Sequence, residues 1–202
     1  MKTLRLFLIG TASFILAVGA SAQPPAGKPA TGAPAAGAKA KFSSSDTKIY
    51  ITAAEAMQFQ LKASEHLRWK MKDDQEVAAL AGKISKEMTD LYTPGVTLAQ
   101  EHGVPGNLDK KPKPGTIPND MTAADKAALD KVNAANKDDK KWLVAIFELL
   151  AKESKKNSAA IEKLVPAAQD AELKAWVEKV SAALKSEAET TEAKFKELKS
   201  KK

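Results

Sequence analysis

The chain has 202 residues, of which 44% are apolar and only 5% aromatic, and it contains no cysteine. That length and composition suit one soluble globular domain, and the missing thiols exclude disulfides, thiolate metal sites, cysteine nucleophiles and a cysteine-linked lipid anchor. The formal net charge of +7 comes from Lys rather than Arg, Arg68 being the one arginine beyond residue 5, so the excess reads as solubility and excludes an arginine-led nucleic-acid reader.

The first elements are not part of the fold. Met1-Lys2-Thr3-Leu4-Arg5 is followed by an apolar run over residues 6–20 and then by Ala20-Ser21-Ala22. A basic start, a short hydrophobic stretch and an A-x-A site read as a cleavable export signal over residues 1–22. The stretch is too short for a comfortable membrane span, and no second run of spanning length follows. Cleavage after Ala22 makes Gln23 the new N-terminus and lowers the net charge to +5 by removing Lys2 and Arg5. Residues 23–45 begin Pro24-Pro25-Ala26-Gly27-Lys28-Pro29 and are expected to be a disordered tether, because they cannot bury enough apolar surface to offset chain ordering.

Residues 46–202 form the expected helical domain. A first amphipathic segment runs over about 46–71, entered through Ser43 to Asp46 as capping residues, with Met57, Leu61, Ser64 and Leu67 on one face. The second starts at Asp73 with Glu76 as capping partner, and its apolar positions Val77, Ala81, Ile84, Met88 and Leu91 recur every four and three residues. That 3.5-residue period predicts left-handed supercoiling against its neighbours. Pro94 should kink this helix, since it lacks an N–H and crowds the Asp90 carbonyl. Gly103 should end it, with Pro105 beyond. A long Pro/Gly-rich loop covers roughly 103–121, and a short helical segment then restarts at Thr122 with Asp125 and carries Leu129 and Val132. Residues 136–139 break the chain before a third long segment with Leu143, Ile146, Phe147, Leu150 and Ile161, which Pro166 terminates. Asp170 caps a fourth, with Leu173, Val177, Val180 and Leu184. Four helices with one apolar face each bury those faces on one another. The fold class is therefore all-α, an antiparallel four-helix bundle with a long loop between its two hairpins.

Few residues are equipped for chemistry. The chain has two histidines. His66 lies off the apolar face and is expected in solvent, whereas His102 sits in the last turn of the second helix, where the helix dipole favours a cation. The chain has no H-E-x-x-H, G-x-S-x-G, P-loop or dinucleotide fingerprint, so no catalytic constellation is visible and no cofactor is expected. Four polar residues fall on core-facing positions: Ser154 and Asn157 on the third long helix, Glu187 and Thr191 on the fourth. Glu187 stands out, because a carboxylate in a helical core is costly unless paired. It could act as a metal ligand or as a hydrogen-bond hub with Ser154 and Asn157. The expectation adopted is that its stem packs while the carboxylate turns to solvent. Trp69, Trp142 and Trp176 fall near helix ends or on the flanks of the apolar faces and read as core edge.

Local patterns also carry a resemblance. Val77-Ala78-Ala79-Leu80-Ala81, Leu98-Ala99-Gln100-Glu101-His102-Gly103-Val104, Asp125-Lys126-Ala127-Ala128-Leu129-Asp130-Lys131 and Asp170-Ala171-Glu172-Leu173-Lys174-Ala175-Trp176 resemble, in this order, a secreted bacterial family of unknown function. That family has a ferritin-like four-helix fold and is often labelled a predicted outer membrane protein. The resemblance implies a metal site built from a Glu on the first helix, an Asp-His pair on the second and a His on each of the last two. Carried over without gaps, those positions hold Leu61, Met88 preceded by Glu87, Ser154 preceded by Glu153, and Glu187. The ligands the family implies are thus replaced, which puts a metal centre in doubt.

The resulting expectation is an exported bundle without enzymatic activity, a binding or structural module of the bacterial periplasm or cell envelope. Its partner would be another envelope component, with weak attraction of its lysines to anionic surfaces. The competing expectation is a ferritin-like metal-binding or stress-response protein.

Overall fold

The computed structural model describes residues 39–104, 122–135 and 138–201. The expected export signal, most of the expected tether and expected long loop, and part of the expected break at residues 136–139 lie outside the described residues. The described residues form five α-helices and one turn of 3-10 helix, with no strand among them: α1 (Ser44–Lys70), α2 (Gln75–Glu101), α3 (Ala123–Ala135), α4 (Asp139–Leu164) and α5 (Ala171–Ser200), the 3-10 turn spanning Val165–Ala167. None of these helices is long and apolar enough to cross a membrane.

Local chemistry explains where the helices begin and end. The Ser43 hydroxyl accepts from the Asp46 N–H at 3.0 Å and donates back to the Asp46 carboxylate at 2.9 Å, satisfying a free donor at the start of α1. Asp74, not Asp73, caps α2 by accepting from the Val77 N–H at 3.1 Å. Asp138 accepts from the Lys140 and Lys141 N–H groups at the start of α4, and Asp170 from Leu173 at the start of α5. Gly103 ends α2 with φ +75°. Its N–H donates to the Gln100 carbonyl, while Val104 donates to that of Ala99, a Schellman closure that satisfies two terminal carbonyls. Pro166 falls in the 3-10 turn after α4, as its fixed φ and missing donor allow.

Short connections pair α1 with α2 and α4 with α5 along their lengths. The pairs then meet, α1 beside α4 and α2 beside α5, and α1 also reaches α5. Small residues are buried on both of these helices: Ala53, Ala63 and Ser64 on α1, and Ala188 and Thr191 on α5. The helix α1 is consequently buried on more than one side. Phe59 and Ala63 share a cluster with Leu129 of α3, which is fully buried, and with Trp142, Phe147 and Leu150 of α4.

The helix α2 continues to Glu101 through Pro94. One residue on, Gly95 leaves a notch that the Trp176 indole fills, its N–H donating to the Leu91 carbonyl at 2.9 Å. Trp142 is also fully buried, so of the three tryptophans only Trp69, about half exposed, lies outside the core.

Candidate functional site: a polar layer between two apolar clusters

The buried core falls into two apolar clusters, with the partly buried Leu80 packed against both. One apolar cluster holds Met57, Ile84, Met88, Ile161, Val180 and Leu184, and the other holds Phe59, Leu67, Ala81, Ile146, Phe147 and Leu150. All four long helices contribute to both. Between them lie Gln60 and Ser64 of α1, Ser154 of α4, and Glu187 and Thr191 of α5. Glu187 is 4% exposed and the other four are completely buried.

These side chains are joined. Gln60 Nε2 donates to Glu187 Oε1 at 2.8 Å, and Gln60 Oε1 accepts from the Ser154 hydroxyl at 2.9 Å. The Ser154 hydroxyl also lies within hydrogen-bonding reach of the Glu187 carboxyl. Thr191 donates to the Glu187 backbone carbonyl at 2.7 Å, and Ser64 to that of Leu61 at 2.9 Å, so both hydroxyls are satisfied within their own helices. Glu187 Oε2 has no hydrogen-bond partner among the described residues. Burial pushes the Glu187 carboxyl up to about 8; the Glu87 carboxylate on α2 acts in the same direction, and Ser154 acts against it. At neutral pH the layer is therefore mostly uncharged.

Glu187 thus departs from the expected placement: its carboxyl faces the interior, because Gln60 and Ser154 supply polar contacts there. Ser154 and Thr191 lie inside as expected, but Asn157 does not. It is half-buried, and the buried residue beside it is Ser158, whose hydroxyl donates to the Lys155 carbonyl at 3.1 Å. With Ser154 and Ile161 both inward as expected, the step between them is four then three residues rather than three then four. On α1 the inward residue is Gln60, while Leu61 is only partly buried. Gln60 lies three residues after Met57 and four before Ser64, the same alternation read on α2. Hydropathy favoured Leu61 because it cannot recognise a glutamine whose partners come from other helices.

The histidines complete the inventory. His66 is not in solvent; it is 9% exposed, with its ring 6.4 Å from Trp69 and edge-on to Trp142 at 5.9 Å. Burial pushes the imidazole below its ordinary value, Asn133 acting against this and Lys70 with it. His102 sits at the α2 C-terminus but is buried. Its Nδ1 donates to the Ala40 carbonyl at 2.6 Å, its ring stacks on Phe42 at 4.1 Å, and Nε2 lies 3.8 Å from Asp170 Oδ2. Neither ring belongs to the polar layer.

The donor set does not fit the metal centre implied by the resemblance. The positions carried over provide a half-buried Leu61, a Met88 packed in the apolar cluster, a Ser154 engaged with Gln60, and Glu187. Among the described residues, no three His, Cys, Asp or Glu side chains come together in a way that could hold an ion. One carboxyl with an amide and hydroxyls lacks the several carboxylates and imidazoles that such centres use.

A family model covers residues 31–193, most of the chain. The chain belongs to the DUF4142 family, a domain of unknown function. No curated protein and no solved structure matches it. The DUF4142 match takes in α1 to α4, all but the last turns of α5, and every residue of the polar layer.

Proposed function

We propose that this DUF4142 protein is an exported, non-catalytic helical module of the bacterial periplasm or cell envelope, built as a ferritin-like four-helix bundle in which α3 is an accessory helix. The polar layer carries this reading. At mid-height, where a ferritin-like protein would gather acids and imidazoles, the described residues supply a single interior carboxyl, Glu187, held by Gln60 and Ser154. That arrangement suits structural or binding work better than redox or hydrolytic chemistry, which would need a positioned nucleophile, base or metal. Export rests on the basic, apolar and A-x-A succession of residues 1–22. The partner on this reading is another envelope component, and the exposed lysines at the end of α5, Lys199 and Lys201, add weak attraction to anionic surfaces.

Intact mass and elemental analysis of protein recovered from the periplasmic fraction test the proposal together. The expected result is a soluble chain beginning at Gln23, with iron, manganese and zinc all far below one equivalent. A membrane-bound chain retaining residues 1–22 overturns export. Near-stoichiometric metal that Glu187→Gln abolishes overturns the non-metal reading and favours the metal-binding alternative.

A further inference from the structure

A buried carboxyl with one oxygen unpartnered is an unstable element to place at mid-height in a bundle. We infer that the Gln60–Glu187–Ser154 layer is a proton-operated latch: with Glu187 neutral the two apolar clusters close on each other, and loss of its proton favours opening of α5 from α1 and α4 at this level.

Geometry supplies the asymmetry. An ionised Glu187 would have Gln60 Nε2 as its donor, would compete with Gln60 Oε1 for the single Ser154 hydroxyl proton, and would have nothing among the described residues for Oε2. Among the described residues the charged group that acts on the Glu187 carboxyl is an anion, not a cation. From α1 the layer receives the uncharged Gln60 and Ser64, with the buried Lys62 between them in sequence not among the groups that act on Glu187, and from α4 it receives Ser154. The charged neighbours of Ser154 are engaged elsewhere, Glu153 with Lys156 at 2.8 Å and Lys155 with the field at Glu192. Along α5, Lys194 is held by Glu76 at 2.5 Å and Glu197 at 3.0 Å. The charged group that acts on Glu187 from α2 is Glu87, of like sign. Opening the layer would admit water to both Glu187 oxygens and relieve the repulsion from Glu87.

The sign follows from proton linkage. In the open form Glu187 ionises near the ordinary glutamate value, and in the closed form only near 8. Between those values the closed form holds one more proton than the open form. Opening therefore becomes more favourable as pH rises, by at most about tenfold per pH unit, and levels off above about 8. Below the ordinary glutamate value both forms are protonated and the dependence vanishes.

Native-state hydrogen exchange on the purified full chain, corrected for intrinsic exchange, reads this directly at the amides of Leu184 to Thr191. Protection there should fall at least tenfold between pH 5.5 and 8 and then level off. Glu187→Gln should remove the dependence while leaving the far-ultraviolet spectrum of the fold unchanged. Glu87→Gln, which removes the like charge but keeps the layer, should shift the levelling point to lower pH. The same pH profile in wild type and Glu187→Gln overturns the latch. So does a Glu187 side-chain carbon signal that titrates wholly below pH 6, a measurement on the wild-type protein that needs no variant to fold.

Discussion

Gln60 and Glu187 are each other's reason for being buried. Considered alone, Glu187 is a core carboxylate whose replacement by Leu should leave stability unchanged or raise it. The structure changes that expectation, because Glu187→Leu would strand the Gln60 amide in the core, just as Gln60→Leu would strand the carboxyl. A buried polar group left unsatisfied costs about 1–3 kcal/mol, whereas removing both partners for apolar groups of similar size is near neutral or stabilising. Gln60→Leu should therefore destabilise the protein by about 1–3 kcal/mol in urea melts at pH 7. The double variant Gln60→Leu/Glu187→Leu should return to wild-type stability or exceed it. A double variant as weak as the sum of two costly single ones would mean the pair is not coupled. This residue-level partnership was half legible in the sequence. Glu187, Ser154 and Thr191 could be found by helical period, since each interrupts an apolar face. Gln60 could not, because its neighbour Leu61 fits the hydropathy pattern better and the partners that justify a buried amide lie more than ninety positions away.

At the scale of the helices, short-range chemistry was the most readable. Ser43, Gly103 and Asp170 stand where capping rules put them, because a cap depends on residues within one turn. The cap of α2 lies one residue beyond the expected Asp73, at Asp74, an equally suitable capping residue. Pro94 shows the limit of local reasoning. Its missing donor was visible, but the notch one residue on depends on Trp176, which arrives from α5. A Cβ placed on Gly95 would lie 2.2 Å from Trp176 Cζ2 and 2.4 Å from Cε2. The indole is anchored by its bond to the Leu91 carbonyl and packed beside Tyr50, so it has little freedom to withdraw. Gly95→Ala should thus lower stability by about 2 kcal/mol or more, although Ala is favoured over Gly in a helix interior by about 1 kcal/mol. A stabilised Gly95→Ala protein in thermal or urea melts would show that Trp176 does not fill this notch.

For the whole molecule, the question is whether two apolar clusters with a polar layer between them behave as one folding unit. The all-helical class and the antiparallel pairing were legible from period and loop length. The division of the core was not, because it arises only when polar positions from three helices fall at one height. Continuity argues for cooperativity: α1, α2, α4 and α5 each pass through both clusters, so melting one alone would require ending four helices at the polar layer and exposing their unpaired backbone groups there. The tryptophans provide a test, since Trp176 belongs to the cluster of Met88 and Leu184, Trp142 to that of Phe147 and Leu150, and Trp69 is about half exposed. In fluorotryptophan-labelled protein, the fluorine signals of Trp142 and Trp176 should lose intensity at the same urea midpoint at pH 6, where the Glu187 carboxyl is protonated. Ile161→Ala, a truncation at a position 1% exposed in the Trp176 cluster, should cost about 2–5 kcal/mol and move both signals together. If only Trp176 shifted while Trp142 kept its midpoint, the polar layer would be a boundary between independently stable halves. Above pH 8 the same experiment becomes more demanding, because an ionised Glu187 weakens the layer that joins the clusters. Any separation of the two midpoints should appear there first, and Glu187→Gln should abolish it.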